Sequence, residues 1–177
     1  MTAGLVQRGL GRSAGRALPW LALATGVILA DQLSKTGVQR SLSLGNWLAV
    51  NDFFNLVLAY NRGAAFSLLN NASAWQGYFF IGVALVASVV IVRLLARPDN
   101  HALFSLALGL ILGGALGNAI DRVRYGHVID FLDFHWRWLE PIFPGGHFPA
   151  FNLADSAITA GVTLLILDEL MRLRRKS

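Results

Sequence analysis

Four apolar runs of roughly 20 residues dominate the chain, at approximately 17–37, 75–95, 102–121 and 153–171. A helix of that length spans the ~30 Å hydrocarbon core of a bilayer, and little of the chain remains to wrap such runs in a water-soluble layer. Only 14% of the 177 residues are charged, against roughly 25% in an ordinary soluble domain, and mean hydropathy is +0.53. The expected fold is therefore an all-α membrane protein: a single membrane-embedded domain over residues 1–177, with four transmembrane helices. Arg8, Arg12 and Arg16 precede the first run as they would in a cleavable signal peptide whose apolar region is Leu18 to Ala30. Ile28 and Ala30 make a poor small-x-small cleavage site, and three later runs already commit the chain to lipid, so the first run is expected to persist as a helix.

The flanking cations give the runs a direction. Nine of the fifteen lysines and arginines lie at one set of ends: Arg8, Arg12 and Arg16, then Arg93 and Arg97, then Arg172, Arg174, Arg175 and Lys176. Lys35, Arg40, Arg62, Arg122, Arg124 and Arg137 lie at or beyond the opposite ends. By the positive-inside rule both termini are expected to be cytoplasmic, residues 1–16 forming a basic extension and segments of roughly 38–74 and 122–152 lying outside. Trp20, Trp75 and Tyr78 fall near run ends, where interfacial aromatics belong. Although the net charge is +5, the cations flank apolar runs and form no patch with interleaved aromatics, so nucleic acid is not an expected partner. The absence of cysteine removes disulfides, thiolate metal sites and a cysteine nucleophile together.

In the first outside segment, Phe53 to Tyr60 is rich in aromatic and branched residues. Asn61-Arg62-Gly63 is a turn signal, and Ala64 to Leu69 is apolar again. This pattern reads as a hairpin in a small extracytoplasmic sheet lying on the membrane. Trp136 to Pro149, with its prolines and Gly145-Gly146, reads as a loop over the bilayer surface.

Ionisable and amide side chains within spans cost free energy unless paired or hydrated, and here their placement is one-sided. Asp31 and Lys35 lie toward the outer end of the first run, Asn118, Asp121 and Arg122 at the outer end of the third, and Asn152 and Asp155 at the outer start of the fourth, with Asp130 close behind the third. Charges from three helices at one depth imply a shared polar pocket. Simpler readings stand beside that one. Asp31 and Lys35 have the i, i+4 spacing of a salt bridge with a snorkelling lysine. Asn152 and Asp155 have the spacing of a capping box, and Asp121 and Arg122 could be ordinary interfacial charges. Gly109, Gly113 and Gly117 repeat at the spacing that lets membrane helices pack closely. His127 alone on a loop makes no metal motif, Ser34 and Lys35 point apart on a helix, and no phosphate loop or dinucleotide fingerprint occurs. Carboxylates remain as the plausible catalytic groups, with no metal or cofactor expected.

Five stretches together resemble the lipoprotein signal peptidase (signal peptidase II) family: Asp31-Gln-Leu-Ser-Lys35, Asn61-Arg-Gly-Ala-Ala-Phe-Ser67, Gly113-Gly-Ala-Leu-Gly-Asn-Ala-Ile-Asp-Arg122, Val128-Ile-Asp-Phe131 and Phe148-Pro-Ala-Phe-Asn-Leu-Ala-Asp155. They occur in family order across most of the chain. The resemblance implies an aspartic endopeptidase of the bacterial inner membrane, whose partners are membrane lipid and diacylglyceryl-modified prolipoproteins, cut just before the lipidated cysteine. It implies catalytic roles for Asp130 and Asp155, and lining or supporting roles for Asp31, Lys35, Asn61, Asn118, Asp121, Arg122, Asn152 and Ala154. The basic extension before Pro19 and the Trp136 to His147 loop look longer than the family core. Two carboxyls in one confined site suit peptide hydrolysis, because like charges oppose double ionisation and leave one acid and one base. The alternatives are a small proton-coupled transporter, a lipid-modifying enzyme holding magnesium between aspartates, and a non-enzymatic scaffold. A transporter is expected to show repeated halves or polar groups throughout the bilayer, and neither occurs.

Overall fold

The computed structural model describes residues 2–63 and 75–175, with side chains from residue 16 onward. Four helices, α1 (Thr2–Ser41), α2 (Trp75–Leu95), α3 (Ala102–Tyr125) and α4 (Leu153–Arg174), accompany three strands, β1 (Trp47–Asn51), β2 (Phe54–Asn61) and β3 (Val128–Phe134). Helix α3 is the hub and packs on the other three, most extensively on α4. The basic extension is helical and continuous with the first apolar run, so α1 passes through Pro19 without a break.

Three helical stretches are long and apolar enough to cross a membrane: Arg16–Ser41, Trp75–Leu95 and Ala102–Tyr125. Helix α4, with 22 residues, is long enough but is not among them, since Asp155, Asp168, Glu169, Arg172 and Arg174 lie along it. Lipid is the natural solvent for the outward faces. On α2, Tyr78, Phe79, Val83, Leu85, Val86, Val89 and Val90 are all exposed, an apolar surface far larger than a water-soluble monomer tolerates. Two hydroxyls inside the spans turn back on their own helix, Thr25 to the Leu21 carbonyl (2.9 Å) and Ser88 to that of Ala84 (2.7 Å); no polar atom is left facing hydrocarbon at those positions.

The apolar core joins Ala17 and Ala24 of α1, Ile91 and Leu95 of α2, and Leu108 and Leu112 of α3. It occupies one half of the bundle and leaves the other half to polar residues. Glycines set how closely the helices approach. A methyl group at Gly113 would stand 2.8 Å from the Ala24 carbonyl oxygen and 2.7 Å from Val27 Cβ, and one at Gly109 would stand 3.1 Å from the Trp20 carbonyl oxygen. Gly114 performs the same service toward α4, where a methyl would collide with the Ala154 carbonyl.

The sheet is antiparallel with order β1-β2-β3. Trp47 pairs with Val57 and Asn51 with Phe54; on the other edge Phe54 pairs with Phe134, Ala59 with Asp130 and Asn61 with Val128, across a bulge between Leu56 and Ala59. The hairpin therefore differs from the expected one. Phe54–Asn61 is a strand, but its hairpin partner precedes it, and its second partner comes from beyond α3. Ala64 to Leu69, expected as the second arm, lies outside the described residues. The Asn61-Arg62-Gly63 turn does form, with Asn61 Oδ1 accepting from the Gly63 amide at 2.9 Å and Gly63 at φ +105°. The Trp136 to Pro149 loop contains two 3-10 turns, Arg137–Leu139 and Pro144–Gly146. Its ends are clasped by the Trp136 amide on the Gly146 carbonyl (3.0 Å) and the Phe148 amide on that of Phe134 (2.8 Å).

Gly113→Ala should destabilise the protein by about 1–3 kcal/mol, the usual cost of forcing a methyl into a closed contact. Gly26→Ala, where nothing lies within 4 Å, should be neutral or slightly stabilising. Thermal unfolding in detergent distinguishes the two, and equal effects would contradict the close α1–α3 approach.

Candidate functional site

Lys35 is the anchor of the polar half. Its ammonium lies 2.8 Å from Asp31 and 2.7 Å from Asp121, and donates to Asn118 Oδ1 at 3.1 Å. All three charged residues are sealed from solvent, Lys35 at 1% exposure and both aspartates at 0%. The second oxygen of each carboxylate is also used. Asp31 Oδ1 accepts the Ala154 amide (2.9 Å) and Asp121 Oδ1 accepts Gln32 Nε2 (2.7 Å), while the Ile129 amide donates to Asp121 Oδ2 (3.2 Å). This arrangement ties α1, α3, the start of α4 and β3 together around one cation.

Asn118 passes that order on to the carboxylates. Its oxygen accepts from Lys35 and from Asn152 Nδ2 (3.1 Å), which turns its amide nitrogen toward Asp155, and Nδ2 donates to Asp155 Oδ1 at 2.7 Å. Asn152 caps α4. Its Oδ1 accepts the Asp155 amide (2.9 Å) and its own amide donates to Asp155 Oδ2 (3.3 Å), completing the capping box read from the spacing. Asn152 Nδ2 then reaches Asp130 Oδ1 at 2.8 Å and the Ile129 carbonyl at 3.2 Å. Asp130 and Asp155 thus hang from one asparagine pair, and the capping role does not displace the site role.

Local structure explains how Asp130 arrives there. Gly126, in the left-handed region at φ +74°, ends α3 with its amide on the Arg122 carbonyl (3.0 Å), as a glycine C-cap does, and β3 begins two residues later. Asp130 pairs with Ala59 in the sheet, which brings the Asn61 side chain at the end of β2 to where it opposes the rise of the Asp130 carboxyl. Burial raises the Asp130 carboxyl to about 6, and the neighbouring Asp155 charge adds to the rise against the hydrogen bonds from Asn61 and Asn152 and the Lys35 charge. Asp130 is 2% exposed, whereas Asp155 is half-buried. Arg122 donates to the Asn118 carbonyl (3.2 Å), lies 4.9 Å from the Phe80 ring centroid, and sits within Coulombic reach of Asp155, Asp130 and Asp121. Ala154 is fully buried with its Cβ against Gly117, where a larger residue would not fit.

All ten residues expected at the site are therefore gathered at one end of the bundle. Gln32 belongs with them through its bond to Asp121, though sequence reasoning passed over it; its place between Asp31 and Lys35 was the available signal. The part of Ile129, a backbone amide and carbonyl, carries no side-chain signal at all. His127 stands apart, its ring tilted against that of Tyr60 with centroids 4.0 Å apart. A second polar group was also missed: Asn55 donates to Asp133 (2.9 Å), which faces His147 at 2.9 Å, beside a groove of about 520 Å³. Asp133 lies three residues from Asp130 on one strand, so the two face opposite sides of the sheet.

Fold and site together define a multi-pass helical membrane protein with a carboxylate-bearing polar centre at one end of its bundle. The family described as signal peptidase (SPase) II matches residues 23–171, and the chain belongs to that family. It is similar to the lipoprotein signal peptidase of Burkholderia vietnamiensis (strain G4 / LMG 22486), 56% identical over 162 residues that cover 92% of this chain and 93% of the relative. The lipoprotein signal peptidase of Paraburkholderia phytofirmans (strain DSM 17436 / LMG 22146 / PsJN) is 56% identical over 161 residues, 90% of this chain and 89% of that one. Among solved structures, a bacterial membrane enzyme determined by the in meso method at 2.3 Å resolution aligns with a TM-score of 0.76 and 32% identity, over 90% of this chain and 92% of that chain.

The raised Asp130 carboxyl has a consequence for stability. Folding lifts it from 3.8 to about 6, so the folded protein holds a proton that the unfolded chain releases between those values. The contribution is full below the lower value and lost as pH rises through the upper one, on the order of 3 kcal/mol in all. Asp130→Asn, a mimic of the protonated acid, should therefore unfold at a higher temperature than wild type at pH 8, with the gap closing toward pH 4. A gap that is absent at pH 8, or constant across that range, would contradict the assigned environment.

Proposed function

We propose that this protein is an aspartic endopeptidase that removes the signal peptide from diacylglyceryl-modified prolipoproteins, with Asp130 and Asp155 as the catalytic pair. The observation that carries the reading is the coupling of the two carboxylates through Asn118 and Asn152, with Asp130 raised to about 6. In that state Asp155 is the base and Asp130 the acid. Asp155 takes a proton from water, the resulting hydroxide adds to the scissile carbonyl carbon, and Asp130 protonates the carbonyl oxygen. Collapse of the tetrahedral adduct breaks the C–N bond as a proton passes to the amine, yielding a new carboxyl and a new N-terminus. Membership of the signal peptidase II family and the names of the similar proteins support the substrate class.

The chain acts as one membrane-embedded domain of the bacterial inner membrane, with α4 as its fourth span, both termini cytoplasmic and the carboxylates near the outer face. In a membrane, two of the α4 acids have polar partners toward its ends: Asp155 in the polar network and Asp168 against His101 (2.6 Å), while Glu169 lies exposed beside Arg172. A precursor held by its signal helix and acyl chains then presents its scissile bond at the depth of the carboxylates, and need not leave the lipid. Asn118, Arg122 and Asn152 hold its backbone and orient the aspartates, and the turn around Asn61 forms one wall of the cleft.

Asp130→Asn and Asp155→Asn should each lower turnover of a diacylated precursor peptide by about 10²–10⁴-fold while precursor binding persists, and the double variant should be scarcely worse than either single one. Turnover within tenfold of wild type in either folded variant would remove the assignment. For the topology, reporters fused near Asn100 and Ser177 should read as cytoplasmic and a reporter near Gly145 as external; a cytoplasmic signal at Gly145 would put the carboxylates on the wrong side.

A further inference from the structure

At the end of the bundle remote from the carboxylates, a cavity of about 260 Å³ is lined by Arg16, Trp20, Arg97, Asn100, Ala102 and Ser105, among others. Three separate parts of the chain meet there: the start of the apolar stretch of α1, the segment just past α2, and the first turn of α3. We propose that this cavity binds the phosphate of an anionic phospholipid. This assignment does not depend on the peptidase reading.

The cavity is rich in donors that lack an acceptor. Among the described residues neither Arg16 nor Arg97 takes part in an ion pair, and Asp99, in the same loop as Arg97, is exposed and does not line the cavity. Helix α3 begins uncapped, because the His101 side chain makes no capping bond and turns instead to Asp168 at 2.6 Å. The first-turn amides of this 24-residue helix therefore lack a side-chain acceptor, the standing condition for an anion site. Independently, Ser105 is 3% exposed and lines the cavity, and its hydroxyl makes no hydrogen bond to any described residue. Two arginines, the uncapped start of α3 at Ala102 and the buried Ser105 line one space, which calls for a compact, multiply accepting anion, and phosphate has that chemistry. The walls favour a lipid over a free ion. Trp20 and Leu95 line the same cavity, which sits where two apolar helices end, at the level where headgroups meet acyl chains.

The test measures binding and thermal unfolding of the full chain with phosphatidylglycerol or phosphatidylcholine of matched acyl chains, in detergent, by native mass spectrometry and a melting curve. Phosphatidylglycerol should bind in preference and raise the melting temperature. Arg16→Gln and Arg97→Gln should each weaken it about fivefold, and Arg97→Lys should keep most of the affinity. Melting in phosphatidylcholine shows whether each variant is folded. Arg172→Gln, at the same end but outside this cavity, should leave binding unchanged. An equal loss with Arg172→Gln would mean a diffuse field and overturn the proposal, as would equal binding of the two lipids. Displacement of phosphatidylglycerol by an equal concentration of inorganic phosphate would make the cavity a free-anion site and overturn the lipid assignment.

Discussion

The polar network that carries Asp130 and Asp155 is built around the Lys35 ammonium. A lysine sealed inside a membrane protein is sustained only by opposite charge and hydrogen bonds, and Lys35 has two carboxylates and an amide oxygen within 3.1 Å. Removing one member of a buried ion pair typically costs about 3–5 kcal/mol, because the survivor stays buried without its partner. The charge count matters too. Two aspartates around one lysine leave an excess negative charge, which the Ala154 and Ile129 amides and the Gln32 side chain disperse. Those contacts reach α4 and β3, so the ion cluster also positions the elements that carry Asp155 and Asp130.

Close helix packing makes this possible. The Gly109, Gly113 and Gly117 row faces α1, and at Gly117 a methyl would stand 2.8 Å from Asp31 Oδ2. The absence of a side chain there gives the carboxylate its space beside Lys35. Gly114 and Gly161 serve the α3–α4 contact in the same way. Packing and electrostatics are therefore one constraint: widening the α1–α3 gap would lengthen the ion pairs, and loss of the ion pairs would remove the reason for the gap to stay closed.

Much of this was legible in the sequence, for identifiable reasons. Apolar runs are local signals, and three of the four correspond to helices that meet the length and hydropathy needed to span a membrane. The gathering of Asp31, Lys35, Asn118, Asp121, Asn152 and Asp155 followed from their shared depth, since unpaired groups in lipid must find one another. The Asn152–Asp155 capping box was readable because both partners lie within one turn. Pairings between distant strands were not. β2 carries a clear pattern, but nothing local shows that Trp47–Asn51 and Val128–Phe134 flank it, and the turn at Asn61 drew the hairpin to the wrong side. Likewise Asn55, Asp133 and His147 meet only because two strands and a clasped loop bring them together. The roles of Ile129 and the Ala154 amide belong to the backbone, where residue type says nothing.

The proposed chemistry requires a proton on a buried carboxyl at a pH where an ordinary aspartate has lost it. Infrared difference spectroscopy of the protonated-carboxyl stretch reads that proton directly. Across pH 4 to 8 the expected band titrates near pH 6, disappears in Asp130→Asn and persists in Asp168→Asn, whose acid lies at the far end of α4. A wild-type protein with no such band above pH 5, or a band that survives in Asp130→Asn, would contradict the proposed chemistry.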